Sequence, residues 1–156
     1  MATGRNSAPP VTPVPAIQRS LTLLAFDFGT QYIGVAVGDA ETRLAHALGA
    51  IRAAGHAARM AGIEPYVREW RPARLVVGLP LSMDGGEQDI TASARRFGRS
   101  LTAHFGLPVE FADERLSSAS AEEGLRAAGR GGRKNKLLVH GEAARIILQG
   151  YLDESA

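Results

Sequence analysis

Asp27 is the residue whose position in the sequence most strongly indicates chemistry. It stands near the end of LTLLAFDF, a near-continuous apolar run that is typical of a central strand covered on both faces. A carboxylate buried there is costly unless it is paired or binds a metal ion. Gly29, two positions later, would let a ligand approach the backbone closely. Asp is also a common turn residue, so a cap on the following turn is the alternative interpretation.

A second carboxylate, Glu114, follows the predicted strand VEFAD. If this strand, RLVVGLP and the strand that holds Asp27 run parallel, their carboxyl ends lie at one edge of the sheet. Open α/β sheets bind ligands at that edge. We therefore expect Asp27 and Glu114 to converge. The alternative is that Glu114 forms a weak surface ion pair with Arg115.

His140 lies early in the last predicted helix, LLVHGEAARIILQGYLDE. Ala144, Ile147 and Tyr151 follow it on the same helix face, which we expect to contact the sheet. An imidazole there could bind a metal, transfer a proton, or be a buried ring without a chemical role. The other histidines have no spacing typical of metal ligands, and we assign no role to His46, His56 and His104.

The segment GRGGRKNK is predicted to be a basic, glycine-rich loop. Five cations and no acidic residue occur between positions 126 and 136, and they are Arg126, Arg130, Arg133, Lys134 and Lys136. Such a segment indicates a polyanionic partner, with flexible glycines that order when it binds. A solvated loop without a partner is the alternative.

The elements that must position these residues begin with three predicted strands. LTLLAFDF and YIGVAVGD would form a hairpin, and a weaker strand covers about Leu44 to Ile51. A helix is predicted over 55–70 and another in TASARRFGRSLTAHFG, separated by the strand RLVVGLP. Five apolar residues of that second helix share one face: Ile90, Ala94, Phe97, Leu101 and Phe105.

The strand VEFAD, a helix from Ser117 or Ser118 to Gly129, and the final helix complete the order. A hairpin followed by helical crossovers predicts an α/β fold with a mixed sheet and helices on its faces.

The bulk composition suits one domain. The chain has 156 residues, of which 45% are hydrophobic and 22% charged, and it has a net charge of +2 and no cysteine. We expect residues 1–19, which hold four prolines, to be a disordered tail and residues 20–156 to form the domain. No apolar run suits a membrane span or a signal peptide, so we expect a cytoplasmic protein.

Four blocks in this order resemble the YqgF family of pre-16S ribosomal RNA nucleases, which is related to Holliday junction resolvases. The blocks are LLAFDFGTQYIGVAVGD (23–39), LVVGLPLSMDGGEQ (75–88), FADERLSS (111–118) and AARIILQGYLD (143–153). The resemblance implies a ribonuclease H-like fold with a five-stranded mixed sheet. It also implies that Asp27 and Glu114 match two family carboxylates. His140 stands where the family has a third, an Asp, and Tyr32 stands where it has a basic residue.

By this resemblance, the chain would be a metal-dependent nuclease that matures the 5′ end of pre-16S rRNA. Asp27, Glu114 and His140 would be the catalytic residues and would bind Mg²⁺ or Mn²⁺. Imidazole suits softer ions, so His140 as a ligand predicts that Mn²⁺ supports activity at least as well as Mg²⁺. The expected phosphate contacts are Arg115, Arg126, Arg130, Arg133, Lys134 and Lys136.

The expected partner is a structured nucleic acid, either pre-16S rRNA or the pre-ribosome, and the protein would be a monomer or a homodimer. Three alternatives stay open at this point. The first is a Holliday junction resolvase that acts on DNA, and the second is a non-catalytic RNA-binding factor. The third is nucleotide binding, because Asp-Phe-Gly-Thr resembles a phosphate loop of actin-like ATPases. Those proteins need two such domains, for which 156 residues are too few.

Overall fold

The computed structural model describes residues 21–114 and 137–155 with their side chains, and Arg133–Lys136 as backbone only. The predicted tail over 1–19, the predicted helix starting at Ser117 or Ser118, and Arg115, Arg126 and Arg130 lie outside the described residues.

Five strands form one mixed sheet, as expected. They are β1 (Thr22–Asp27), β2 (Tyr32–Asp39), β3 (Leu44–Arg52), β4 (Arg74–Leu79) and β5 (Val109–Asp113). The spatial order is β3-β2-β1-β4-β5, so β1 is the central strand. β1 pairs antiparallel with β2 and parallel with β4, and β4 pairs parallel with β5. The predicted convergence of three carboxyl ends at one edge is therefore confirmed.

Two helices cover one face of the sheet. They are α1 (His56–Trp70) and α2 (Asp89–Phe105). α2 begins with a capping box between Gln88 and Thr91 and ends at Gly106, whose φ of 71° suits glycine. The predicted apolar face of α2 is confirmed, because Ala94, Phe97 and Leu101 are buried in the core on this side.

The opposite face is covered by α3 (Arg133–Glu154). This helix packs on small sheet residues such as Ala25 and Ala36 through Ala144 and Leu148. The architecture is thus a mixed sheet with helices on both faces. None of the helices in the described ranges is long and apolar enough to cross a membrane.

The start of α3 corrects one prediction. Arg133, Lys134 and Lys136 belong to the helix and not to the predicted glycine-rich loop. The last glycine of that loop is Gly132, and the Arg and Lys residues after it favour helix. The helix can therefore begin four residues before the apolar pattern that indicated it.

Candidate active site

The parallel strands bring the two predicted carboxylates to one place. Asp27 is the last residue of β1, which pairs with β4 as far as Phe26 and Val77. β4 pairs in turn with β5, and Leu79 lies opposite Asp113 at the end of both strands. The backbone N–H of Glu114 donates to the carbonyl oxygen of Leu79, with an N···O distance of 3.1 Å. This bond extends the strand pairing by one residue and holds Glu114 at the sheet edge, beside Asp27.

The two carboxyl groups interact directly. Asp27 is only 5% exposed. Burial raises the pKa of Glu114 to about 9, and the charge of Asp27, a hydrogen bond with Asp27 and the charge of Asp113 add to the effect. The Glu114 carboxyl therefore keeps its proton near neutral pH. The alternative of Glu114 as a mere surface ion-pair partner does not fit this buried contact.

His140 reaches the same place from α3. Its Nδ1 atom lies 3.6 Å from Oδ2 of Asp27, which is longer than a hydrogen bond. Its ring stacks on the ring of Tyr32, with centroids 5.3 Å apart and planes 17° apart. The predicted orientation of His140 toward the sheet is thus confirmed.

Sequence reasoning noted Tyr32 only as a departure from a family pattern and missed its contact with His140. Tyr32 is the first residue of β2, just across the hairpin turn from Asp27. That position indicates that Tyr32 lies near the candidate site, because side chains on either side of a short hairpin turn lie near each other.

Two glycines allow this close approach. A Cβ atom on Gly34 would overlap the backbone carbonyl of His140, and one on Gly78 would overlap the side chains of Glu114 and Ile147. Both positions therefore require the absence of a side chain. Sequence reasoning missed both positions. For Gly34 a signal was available, because small residues alternate with large ones in YIGVAVGD. Such alternation predicts a sheet face that a helix can approach closely.

A cavity of about 590 Å³ opens at this edge of the sheet. Its walls come from the β1–β2 turn, from Pro80 after β4, from α2 and from α3. Asp27, Glu114 and His140 all line it, together with Gly29, Thr30 and Tyr32. The three residues predicted to do chemistry therefore share one cavity, while their roles stay predictions.

The carboxylate pair suits a divalent cation. A hard ion such as Mg²⁺ takes oxygen ligands, and it could replace the proton that joins Asp27 and Glu114. Within 21–114 and 137–155, no three His, Asp or Glu side chains converge closely enough to form a complete metal site. The residues present thus fit an ion held by two carboxylates, with His140 at the border of the ligand set.

Comparison with known proteins gives the relatives of this chain. The sequence model of the RuvX family, described as Holliday junction resolvase, matches residues 21–154. A protein of Burkholderia lata is 50% identical over 139 residues, which are 89% of this chain and 93% of that protein. A Burkholderia multivorans protein is 48% identical over 136 residues, 87% of this chain and 91% of its own length. Both are named as candidate pre-16S rRNA nucleases.

Solved structures with a similar fold include RuvC of Thermus thermophilus in complex with a Holliday junction substrate. It superposes with a TM-score of 0.53 at 15% identity, over 86% of this chain and 95% of that chain. The same protein in a second structure gives a TM-score of 0.52 at 14% identity, with the same coverage. This likeness confirms the ribonuclease H-like fold and, at such low identity, bears on the fold alone.

The family model covers nearly the whole sequence, and relatives about half identical extend over most of their own length. The chain therefore belongs to the RuvX family, which confirms the resemblance first seen in its four sequence blocks.

Proposed function

We propose that this protein is a metal-dependent nuclease that hydrolyses phosphodiester bonds at the Asp27–Glu114 pair, with pre-16S rRNA as its substrate. The observation that carries the proposal is the buried contact between these two carboxyl groups in an open cavity. The names of the Burkholderia relatives support the ribosomal substrate. If the substrate is the pre-ribosome, the domain over residues 20–156 would act in the cytoplasm.

The chemistry follows from the charge of the substrate. Water must add to a phosphorus atom shielded by anionic oxygens, and the bond to one ester oxygen then breaks. A divalent cation, Mg²⁺ or Mn²⁺, would neutralise the charge that develops on the phosphate during this step. Asp27 and Glu114 would hold that ion, and Glu114 would release its proton when the ion binds.

His140 has a proposed role at the border of this site. Its Nδ1 atom, 3.6 Å from Asp27, is near enough to complete the ligand set after a small movement. An imidazole ligand suits Mn²⁺ at least as well as Mg²⁺. Equal or better activity with Mg²⁺ over a full titration of both ions would argue against His140 as a ligand.

The basic residues between positions 115 and 136 have the proposed role of gripping the substrate backbone. They are Arg115, Arg126, Arg130, Arg133, Lys134 and Lys136. Contacts of this kind position a nucleic acid without selecting its sequence.

A cleavage assay on a pre-16S rRNA fragment tests the proposal. We expect Asp27→Asn to lower the cleavage rate about 1,000-fold, because the amide cannot supply the charge that holds the cation. The fold should be retained, as judged by thermal unfolding. Asp39→Asn is the matched control, since Asp39 lies at the far end of the same hairpin and only caps a turn.

Equal loss of cleavage in both variants, or an undiminished rate in folded Asp27→Asn, would refute the proposed site. Cleavage by neither the wild type nor the variants would favour a non-catalytic RNA-binding factor.

A second candidate activity is the resolution of Holliday junctions, which the description of the matching family model favours. The carboxylate site would be the same, and the substrate surface would differ. The assay therefore includes a four-way DNA junction beside the RNA fragment. Preferential cleavage of the junction would assign the protein to DNA.

A further inference from the structure

A second cavity lies next to the active site, on the face of the sheet covered by α1 and α2. Its volume is about 290 Å³. The β1–β2 turn supplies Phe28 and Thr30, and both residues also line the active-site cavity. The two cavities are therefore neighbours on either side of one turn.

The side chains that line this second cavity are largely basic and polar, and none is a carboxylate. α1 contributes His56, Arg59 and Met60, and α2 contributes Ser93, Arg96, Phe97 and Ser100. Within each helix the polar residues are three or four positions apart, so they share one face. Two guanidinium groups and two hydroxyl groups thus surround one opening, which is the donor set that binds phosphate.

Arg59 is held in place beside the turn. Its guanidinium carbon lies 4.9 Å from the centre of the Phe28 ring, and Nη2 donates to the carbonyl oxygen of Thr30 at 3.2 Å. Its Nε atom is buried and has no hydrogen-bond acceptor among the described residues. A buried donor without an acceptor is costly. A shift of this side chain toward the cavity would bring Nε–H to a ligand oxygen.

Arg96 is exposed, and its Nη2 atom donates a hydrogen bond to Ser93 at 3.0 Å. In the part of the chain that the structure describes, neither Arg96 nor Arg59 forms an ion pair with a carboxylate. Other arginines of the molecule do, as shown by Arg95 with Glu87 and Arg145 with Glu142. Within the described residues, no carboxylate therefore pairs with the positive charge at the second cavity, and this favours binding of an anion there.

We propose that this cavity binds a phosphate of the substrate strand that flanks the phosphate being cleaved. Because Phe28 and Thr30 line both cavities, the two sites would bind neighbouring phosphates of one nucleic-acid strand. The proposal rests on the nuclease function above, since it assumes a strand in the active site. It assigns Arg59 and Arg96 to backbone contacts, which position the substrate and do not select its sequence.

Binding measured without cleavage tests the proposal. The probe is a fluorescent RNA oligonucleotide, and the protein is the full chain carrying Asp27→Asn. We expect Arg96→Ala to weaken binding about tenfold, as for the removal of a charge-assisted hydrogen bond. The dependence of log K on log salt should become shallower by about 0.7, because one phosphate of a single strand is no longer neutralised by the protein.

Arg99→Ala is the matched control, because Arg99 is an exposed arginine on the same helix outside the cavity. It removes the same charge and should change neither the affinity nor the salt dependence. Arg59→Lys keeps the charge and removes the planar fork, so it should weaken binding less than Arg96→Ala. Thermal unfolding of each variant distinguishes a weaker binding site from an unfolded protein.

Equal effects of Arg96→Ala and Arg99→Ala would overturn the proposal. Binding of inorganic phosphate that depends on Arg96 and does not compete with the RNA would also overturn it, by assigning the cavity to a free anion. If the protein with Asp27 intact fails to cleave, while the Arg96-specific weakening is observed, the nuclease function is refuted and the second cavity is kept as a binding site. An active nuclease without that weakening would refute the second cavity alone.

Discussion

The two faces of the sheet are packed by residues of very different size. On the side of α1 and α2, the strands contribute large apolar side chains such as Phe26, Ile33 and Val35. On the side of α3, the same strands contribute small residues, among them Ala25, Gly34 and Ala36. The difference follows from strand alternation, because successive residues point to opposite faces.

This difference separates stability from positioning. Burying a Phe, Leu or Ile side chain contributes about 1.5–3 kcal/mol, so the large residues supply much of the stability of the sheet. The small residues bring the backbone of α3 down onto the strands. That close approach places His140 beside Asp27 and Ile147 beside Gly78 and Glu114. The α3 face thus has the smaller cluster of buried apolar residues, and its close backbone contacts position the candidate active site.

Among the changes that test this difference between the two faces, Gly34→Ala should have the largest effect. The added methyl group overlaps the carbonyl oxygen of His140, so α3 must move away from the sheet. We expect a loss of about 3 kcal/mol in the free energy of unfolding, from overpacking. We also expect cleavage to fall about 100-fold, because a displacement of about 1 Å suffices for such a loss. Denaturant unfolding and single-turnover cleavage measure the two effects.

Gly150→Ala is the matched control for this substitution. Gly150 lies in α3, and a Cβ atom there meets nothing within 4 Å. The alanine should stabilise the helix by about 1 kcal/mol and leave cleavage unchanged. Wild-type cleavage by Gly34→Ala would show that the position of α3 does not set the active site.

Leu101→Ala tests the other face. Leu101 is fully buried against the α1 and α2 side of the sheet. Its truncation should cost about 3 kcal/mol of stability through reduced burial and a residual cavity. Cleavage per folded molecule should stay close to wild type, because the carboxylates and His140 lie on the α3 side. A large loss of cleavage at a temperature where the variant is fully folded would break the proposed division between the two faces.

Much of the fold could be predicted from the sequence because its signals are local. The segment YIGVAVGD, predicted as the second strand of a hairpin, matches the bounds of β2. The apolar spacing of TASARRFGRSLTAHFG indicated the core face of α2. The convergence of Asp27 and Glu114 also followed, since it needs only that three strands run parallel. The predicted start of α3 was wrong because it was taken from the apolar pattern, which begins at Leu137. The helix propensity of the Arg and Lys residues before that pattern extends α3 to Arg133.

The contacts between distant elements could not be predicted in the same way. The stacking of Tyr32 on His140 depends on how deeply α3 sits, which is a property of packing between helix and sheet. The cavity at Arg59 and Arg96 needs two helices in a definite relative position. Neither arginine stands out in the sequence, where the cations of the segment over 126–136 are far more conspicuous. Clustering in space, and not in sequence, identified this basic site.

Counted per pH unit, the smallest effect should come from the carboxyl pair on the α3 face. Burial first, and Asp27 second, raise the pKa of Glu114 from 4.5 to about 9. A group with a raised pKa in the folded state stabilises the protein fully below its unfolded pKa, and that contribution is lost as pH rises toward the folded value. Wild-type stability should thus decline between about pH 4.5 and pH 9, by at most about 1.4 kcal/mol per pH unit.

Glu114→Gln removes the titrating group, so the stability of this variant should decline less than that of the wild type over the same pH range. Denaturant unfolding of both proteins in a chelator, at several pH values, measures the difference. A parallel pH dependence in the two proteins would show that Glu114 does not hold its proton in the folded state. The close approach of α3 to the sheet is expected to bury the carboxyl pair, and this burial raises the pKa of Glu114. A parallel pH dependence would therefore also count against that effect of α3.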